Sequence, residues 1–179
     1  MKRVTRYLAL ALACAMLLTG GDAVAEENAG ISSLAFFCIA YNHAAEGLKL
    51  AVLEDMPEPV DTESGPVAMI VADQWSDILL WTTPSKTDVA RICAMTKLDG
   101  SDDAVDSMVR TFIAAMVGGS AIPLGGTKEG LAILTELGLT DPSALAVGAY
   151  GETVVESGLK ISYVVDDGRL ICLFVAANS

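Results

Sequence analysis

Positive charge is scarce in this chain and histidine almost missing: 179 residues hold 11 Lys and Arg, one His, and 23 Asp and Glu. So acidic a polymer repels nucleic acid and anionic headgroups, which excludes DNA or RNA as a partner. A single histidine excludes metal centres built on several imidazoles. It also forces any Ser-His-Asp or Cys-His chemistry through His43. Four cysteines are too few for a disulfide scaffold, and their spacing fits no zinc site. Aromatics make up 6% of the residues, and the two tryptophans read as a turn residue (Trp75) and a core residue (Trp81) rather than a stacking platform. Spanning segments are not expected beyond residue 25. The uncharged stretch Thr111 to Thr127 approaches the needed length, but Gly118-Gly119, Pro123 and Gly125-Gly126 break it.

What is present begins with a leader. Lys2, Arg3 and Arg6 precede an uncharged apolar run, Tyr7 to Leu18, and Ala23-Val24-Ala25 supplies the small residues of a cleavage site. That order predicts a secretory signal over residues 1–25, removed before Glu26, and a periplasmic or secreted location such as a bacterial envelope provides. Anchoring through Cys14 is disfavoured because the apolar run continues past it. The leader holds three of the 11 basic and one of the 23 acidic residues. The 154 residues after it therefore carry 8 basic against 22 acidic, a formal charge of −14. That length suits one domain with its own core.

Three cysteines remain, Cys38, Cys93 and Cys172. In an oxidising compartment two that lie close should join, and Cys93 with Cys172 is the favoured pair. Cys38–Cys172 and Cys38–Cys93 stay open.

Periodicity predicts a long first helix from Ile31 to Leu53, with Leu34, Phe37, Cys38, Tyr41, Ala45, Leu48 and Val52 inward and Ser32 or Ser33 as cap. Glu54 to Pro66, with five carboxylates and three prolines, reads as an exposed connection. Val67–Ala72, Ile78–Thr83 and Val89–Thr96 follow as a meander separated by turn residues. Ser101 caps a second helix through Val117, and Thr127 a third with Leu131, Leu134 and Leu137 inward. Asp141-Pro142 opens a short helical turn. At the C-terminal end, Leu159 to Val165 alternates and Asp167-Gly168 supplies a type I′ turn. The implied register pairs Val165 with Leu170, Tyr163 with Cys172, Ile161 with Phe174 and Leu159 with Ala176. Thr153 to Ser157 adds a strand before it. The fold class is thus α+β: antiparallel meanders packed against a long N-terminal helix and a central helical segment. Arg91-Ile92-Cys93 and Arg169-Leu170-Ile171-Cys172 hint at a duplication of 31–98 and 101–176 within the single domain 26–179.

Chemistry-bearing patterns are thin. His43 and Glu46, three apart on the first helix, make half of a metal or acid–base site. Asp99, Ser101 and Asp103 open like a calcium loop, but Ala104 and Arg110 stand where its Gly and bidentate Glu belong. Gly125-Gly126-Thr127-Lys128 lacks the order of a phosphate loop. Glu152 and Glu156 share a strand face in a pattern too general for a glycosidase. No cofactor is expected. The leading expectation is an exported, non-catalytic binding, accessory or inhibitor module whose charge favours a basic protein partner. The alternatives are a hydrolase using His43 with acidic partners and a carrier of a small apolar ligand.

Overall fold

Ser33 starts the first helix as its N-cap, its Oγ accepting the Phe36 amide at 3.2 Å. The computed structural model describes residues 31–176; the expected leader and cleavage site, and Cys14, lie outside them. Helix α1 covers Leu34–Leu48 and ends five residues earlier than its apolar period suggests, at Lys49 in the left-handed region (φ 57°). The cause is a side-chain clasp. Asn42 donates to the Leu53 carbonyl (3.0 Å) and accepts its amide (2.8 Å), while Tyr41 Oη donates to the Ala51 carbonyl. The chain after Lys49 is thereby folded back along the helix, and Val52 is exposed instead of inward.

The strands are β1 (Ser32–Ser33), β2 (Val60–Thr62), β3 (Gly65–Val71), β4 (Ser76–Thr82), β5 (Asp88–Lys97), β6 (Tyr150–Val154), β7 (Leu159–Asp166) and β8 (Arg169–Ala176). They form one antiparallel sheet in the order β2-β3-β4-β5-β8-β7-β6, with β1 beside the start of β5. The acidic connection is therefore shorter than expected: Val60–Thr62 pairs with the start of β3, and Gly65 (φ 105°) makes the turn. The C-terminal hairpin has the expected register, Asp166 facing Arg169, with positive φ at both Asp167 and Gly168. The strand before it sits earlier, at Tyr150–Val154, because the backbone turns at Val155 to Gly158, where the Gly158 amide reaches the Val155 carbonyl.

Helix α2 (Asp102–Gly118) is capped by Ser101, whose Oγ accepts the Ala104 amide. Asp102 and Asp103 in its first turn face the positive end of its dipole. Helix α3 (Thr127–Glu136) has Gly126 as N-cap, so Thr127 is already helical. Its inward face is Gly130 and Leu134, with Leu131 exposed. A Cβ on Gly130 would stand 3.0 Å from Ile113 and Ile122, so the missing side chain is what lets α3 approach α2. A 3-10 turn at Pro142–Ala144 begins at Asp141 as expected.

All three helices lie on one side of the sheet. Phe37, Tyr41, Met108, Phe112 and Met116 meet Ile70, Ile78, Leu80, Ile92, Ile161 and Phe174 there in one apolar core. The α+β class is the one read from the sequence. Among the described residues no helix is long and apolar enough to cross a membrane.

The Cys93–Cys172 bond is not formed, and neither is any other disulfide among the described cysteines. Cys93 faces Leu173 across the β5–β8 ladder, and Cys172 faces Ala94 one rung away. Successive rungs point to opposite faces of a sheet. Cys172 therefore joins Cys38 in the helix-side core, while Cys93 belongs to a separate cluster on the other face.

Candidate functional site

The sequence-predicted residues do not converge. His43 and Glu46 both lie on the solvent side of α1, and neither makes a hydrogen bond or ion pair with a described residue. Among the described residues no group of three His, Cys, Asp or Glu is placed to hold a metal ion. Asp99 is occupied in a turn: its Oδ1 accepts the Ser101 hydroxyl and amide, and its Oδ2 accepts the Trp75 indole N–H at 3.1 Å. These bonds, the Ser101 hydroxyl first, hold its carboxyl below the usual range. Glu156 sits in the turn after β6 and so does not share a strand face with Glu152, which pairs with Lys160 at 2.8 Å. Burial pushes the Cys38 thiol up to about 11 and raises Cys172 as well, which keeps both thiols protonated and unreactive at neutral pH.

One polar cluster escaped the sequence reading. Thr96 bonds Ser76 at 2.8 Å, Ser76 bonds Ser107 at 2.7 Å, and Ser107 donates to Asp73 Oδ1 at 2.8 Å. A carboxylate only accepts, so the three hydroxyls donate in one direction, toward Asp73. Asp73 Oδ1 also takes the amides of Trp75 and Ser76, and Oδ2 lies 3.9 Å from Arg110. Arg110 in turn donates to the Leu48 and Lys49 carbonyls at the end of α1. Ser76, Thr96 and Ser107 are closed to solvent. The arrangement ties the β3–β4 turn to α2 and the end of α1, and offers no access to a substrate.

The other face of the sheet is different. Side chains at alternate positions form two cross-strand apolar rows. Met69, Leu79, Cys93 and Leu173 make one. Met95, Ile171, Val164 and Tyr150 make the other, with Asp77 at its β4 position. Val67 and Trp81 extend the first toward β2, and the Trp81 indole donates to Ser64 Oγ at 3.3 Å. Leu79, Trp81, Cys93, Met95 and Ile171 form an apolar cluster made of strand residues alone.

Basic side chains stand at both ends of these rows. Arg91 and Lys160 lie beyond Cys93 and Leu173 in one strand direction. Lys97 and Arg169 lie beyond Met95 and Ile171 in the other, directly opposite each other across the ladder. Four of the eight basic residues after residue 25 are thus on this face, against Asp77, Glu152 and Asp166. Like charges facing each other across a ladder are unfavourable without an anion nearby, and neither Lys97 nor Arg169 makes an ion pair with a described residue.

On the helix side, a groove of about 420 Å³ opens beside Phe36, lined also by Val117, Ile122, Leu124 and Glu156. His43 lies about two helical turns along α1 from Phe36 and does not line the groove. Sequence reasoning missed the sheet face although its signal was present. Ile78–Trp81 and Leu170–Val175 are continuous apolar runs, the pattern of strands covered on both sides. No family model matches the chain, and no curated protein or solved structure matches it.

Proposed function

We propose that the chain is an exported, non-catalytic binding protein, and that the outer face of its sheet, opposite the helices, is the binding surface. The observation that carries this reading is the set of half-buried Val67, Met69, Val164 and Leu173 around the strand cluster, with Arg91, Lys160, Lys97 and Arg169 at its two ends in an otherwise acidic chain. Apolar area supplies binding free energy, and the charges at its rim set partner choice and encounter rate. The fitting partner is a polypeptide with an apolar stripe and acidic flanks. Carboxylates cluster at Glu54 to Glu63 and in the first turns of α2 and α3, while this face carries Asp77, Glu152 and Asp166.

Two charge reversals at the rim test the reading. Tagged protein carrying Arg91→Glu and Arg169→Glu should recover its partner from the host envelope roughly tenfold less well than the parent. A control carrying Lys49→Glu and Lys128→Glu, both exposed on the helix side, should match the parent. Equal recovery by the parent and the outer-face variant refutes the reading.

A further inference from the structure

A sheet ends in strands whose outer N–H and C=O groups have no neighbouring strand, and the two ends of this sheet are built differently. At one end β2 is three residues long, follows Pro59 and carries Asp61, which Lys86 holds at 3.0 Å. Short length, proline and charge are the usual means of blunting an edge. At the other end β6 is five residues long, holds no proline or lysine, and pairs with β7 without a bulge. Its Tyr150 and Val154 are each 59% exposed.

The ladder shows which groups are open. The Val165 amide donates to the Ala149 carbonyl and the Val155 amide to the Leu159 carbonyl, which extends the β6–β7 register past both ends of β6. Bonded residues alternate along an antiparallel ladder, so Gly151 and Thr153 bond β7. The N–H and C=O groups of Tyr150, Glu152 and Val154 therefore point away from the sheet. β6 is the last strand, and among the described residues nothing pairs with these six groups.

We propose that the protein is a homodimer in which β6 pairs antiparallel with β6 of a second copy, joining the two sheets into one. The strand is complementary to itself in one register. With Glu152 on the two-fold axis, Tyr150 faces Val154 of the second copy, and all six open groups of each strand find partners. Each Tyr–Val contact is an aromatic–β-branched pair of the kind that stabilises a ladder. A shift by two residues in either direction leaves two groups of each strand unpaired, and a shift by one sets open groups against groups already bonded.

The charges at the axis balance. Glu152 meets its own image there, and Lys160 lies 2.8 Å from each carboxylate, so the row runs positive, negative, negative, positive. On the helix side the strand offers only Gly151 and Thr153, so no bulky side chain of β6 obstructs the approach of the two edges. The axis stands perpendicular to the sheet, which leaves both outer faces on one side and the helices on the other. The dimer does not depend on what the outer face binds.

Protein purified from its host should sediment at twice the chain mass at micromolar concentration. Val154→Pro removes an N–H that β7 does not use, so the circular dichroism should be kept while the dimer dissociation constant rises roughly tenfold or more. Crosslinking then tests the register. Opposed residues of a bonded pair have Cα atoms about 5.5 Å apart, within reach of a disulfide. Mild oxidation should convert the Glu152→Cys protein to a covalent dimer. The Tyr150→Cys protein should stay uncrosslinked, because its two copies of position 150 lie roughly 14 Å apart. The parent should also stay uncrosslinked, since its described cysteines are buried. A monomeric parent overturns the proposal, including one that pairs its edge with another protein. So does a dimer that survives Val154→Pro unweakened, or one that crosslinks at 150 and not at 152.

Discussion

Asp73→Ala lowers the unfolding free energy by about 3 kcal/mol, read as a shift of the urea midpoint at constant slope. Three donors lose their acceptor at once: the amides of Trp75 and Ser76 and the hydroxyl of Ser107. Each partly or fully buried donor left without a partner costs about 1 kcal/mol or more, and no water reaches Ser107 to replace the carboxylate. The loss also unlinks the three hydroxyls from their common acceptor and withdraws the negative charge that Arg110 faces at 3.9 Å. Asp73→Asn separates these contributions. Its side-chain oxygen keeps the position of Oδ1 while the charge is removed, so it should cost about 1 kcal/mol. If the alanine and asparagine proteins unfold together, the hydrogen bonds at Oδ1 are not what stabilises the turn.

Gly118→Val is the second large effect, a loss of about 3 kcal/mol, with Gly118→Ala at about 2 kcal/mol. A Cβ on Gly118 would stand 2.6 to 2.9 Å from three ring atoms of Phe37, inside the distance any real side chain tolerates. Phe37 is fully buried and stacked on Tyr41 with ring centroids 6.4 Å apart, so it has nowhere to move. The helices α1 and α2 must then separate, and the core between them loses contact with the sheet. A cycle with Phe37→Leu tests the cause: the double variant Phe37→Leu, Gly118→Ala should lose less than the sum of the two single losses, because the smaller side chain admits the added carbon. Strict additivity would place the strain elsewhere.

These two sites show where the sequence was legible and where it was not. The C-terminal hairpin could be read to the residue because two independent signals agree. The Asp167-Gly168 turn and the alternation on either side fix one register, and a slip by one residue would turn Leu159, Ile161 and Tyr163 to the other face. The Ser101 and Ser33 caps were legible for the same reason, a short-range bond written in adjacent residues. The end of α1 was hidden, because Asn42 acts on Leu53 eleven residues away and leaves no local mark. Gly118 reads as a helix stop and α2 does end at it, but the ring of Phe37 on another helix, which leaves no room for a Cβ there, could not be read locally. Ser107 sits between Asp106 and Met108 and looks like part of the wet face of α2. Only the β3–β4 turn arriving beside it makes it a core residue.

The cysteine pairing failed through a single rung. Similar fragments on β5 and β8 suggested equivalent positions, but antiparallel strands bring Cys93 to Leu173 and Cys172 to Ala94, and one step of the pleat separates the two thiols by the thickness of the sheet. The same parity explains the missed apolar cluster on the outer face. Apolar residues at both odd and even positions of β4 and β8 give each face of these strands its own apolar cluster.

Site-specific crosslinking in living host cells tests the outer face most directly. A photoreactive residue is placed at Leu173 or Val175, which point outward from β8, or at the exposed Leu131 on α3, and the cells are irradiated. The proposed surface requires adducts with a second polypeptide from positions 173 and 175 and none from 131. Adducts from 131 alone, or no adduct from either β8 position, would contradict it.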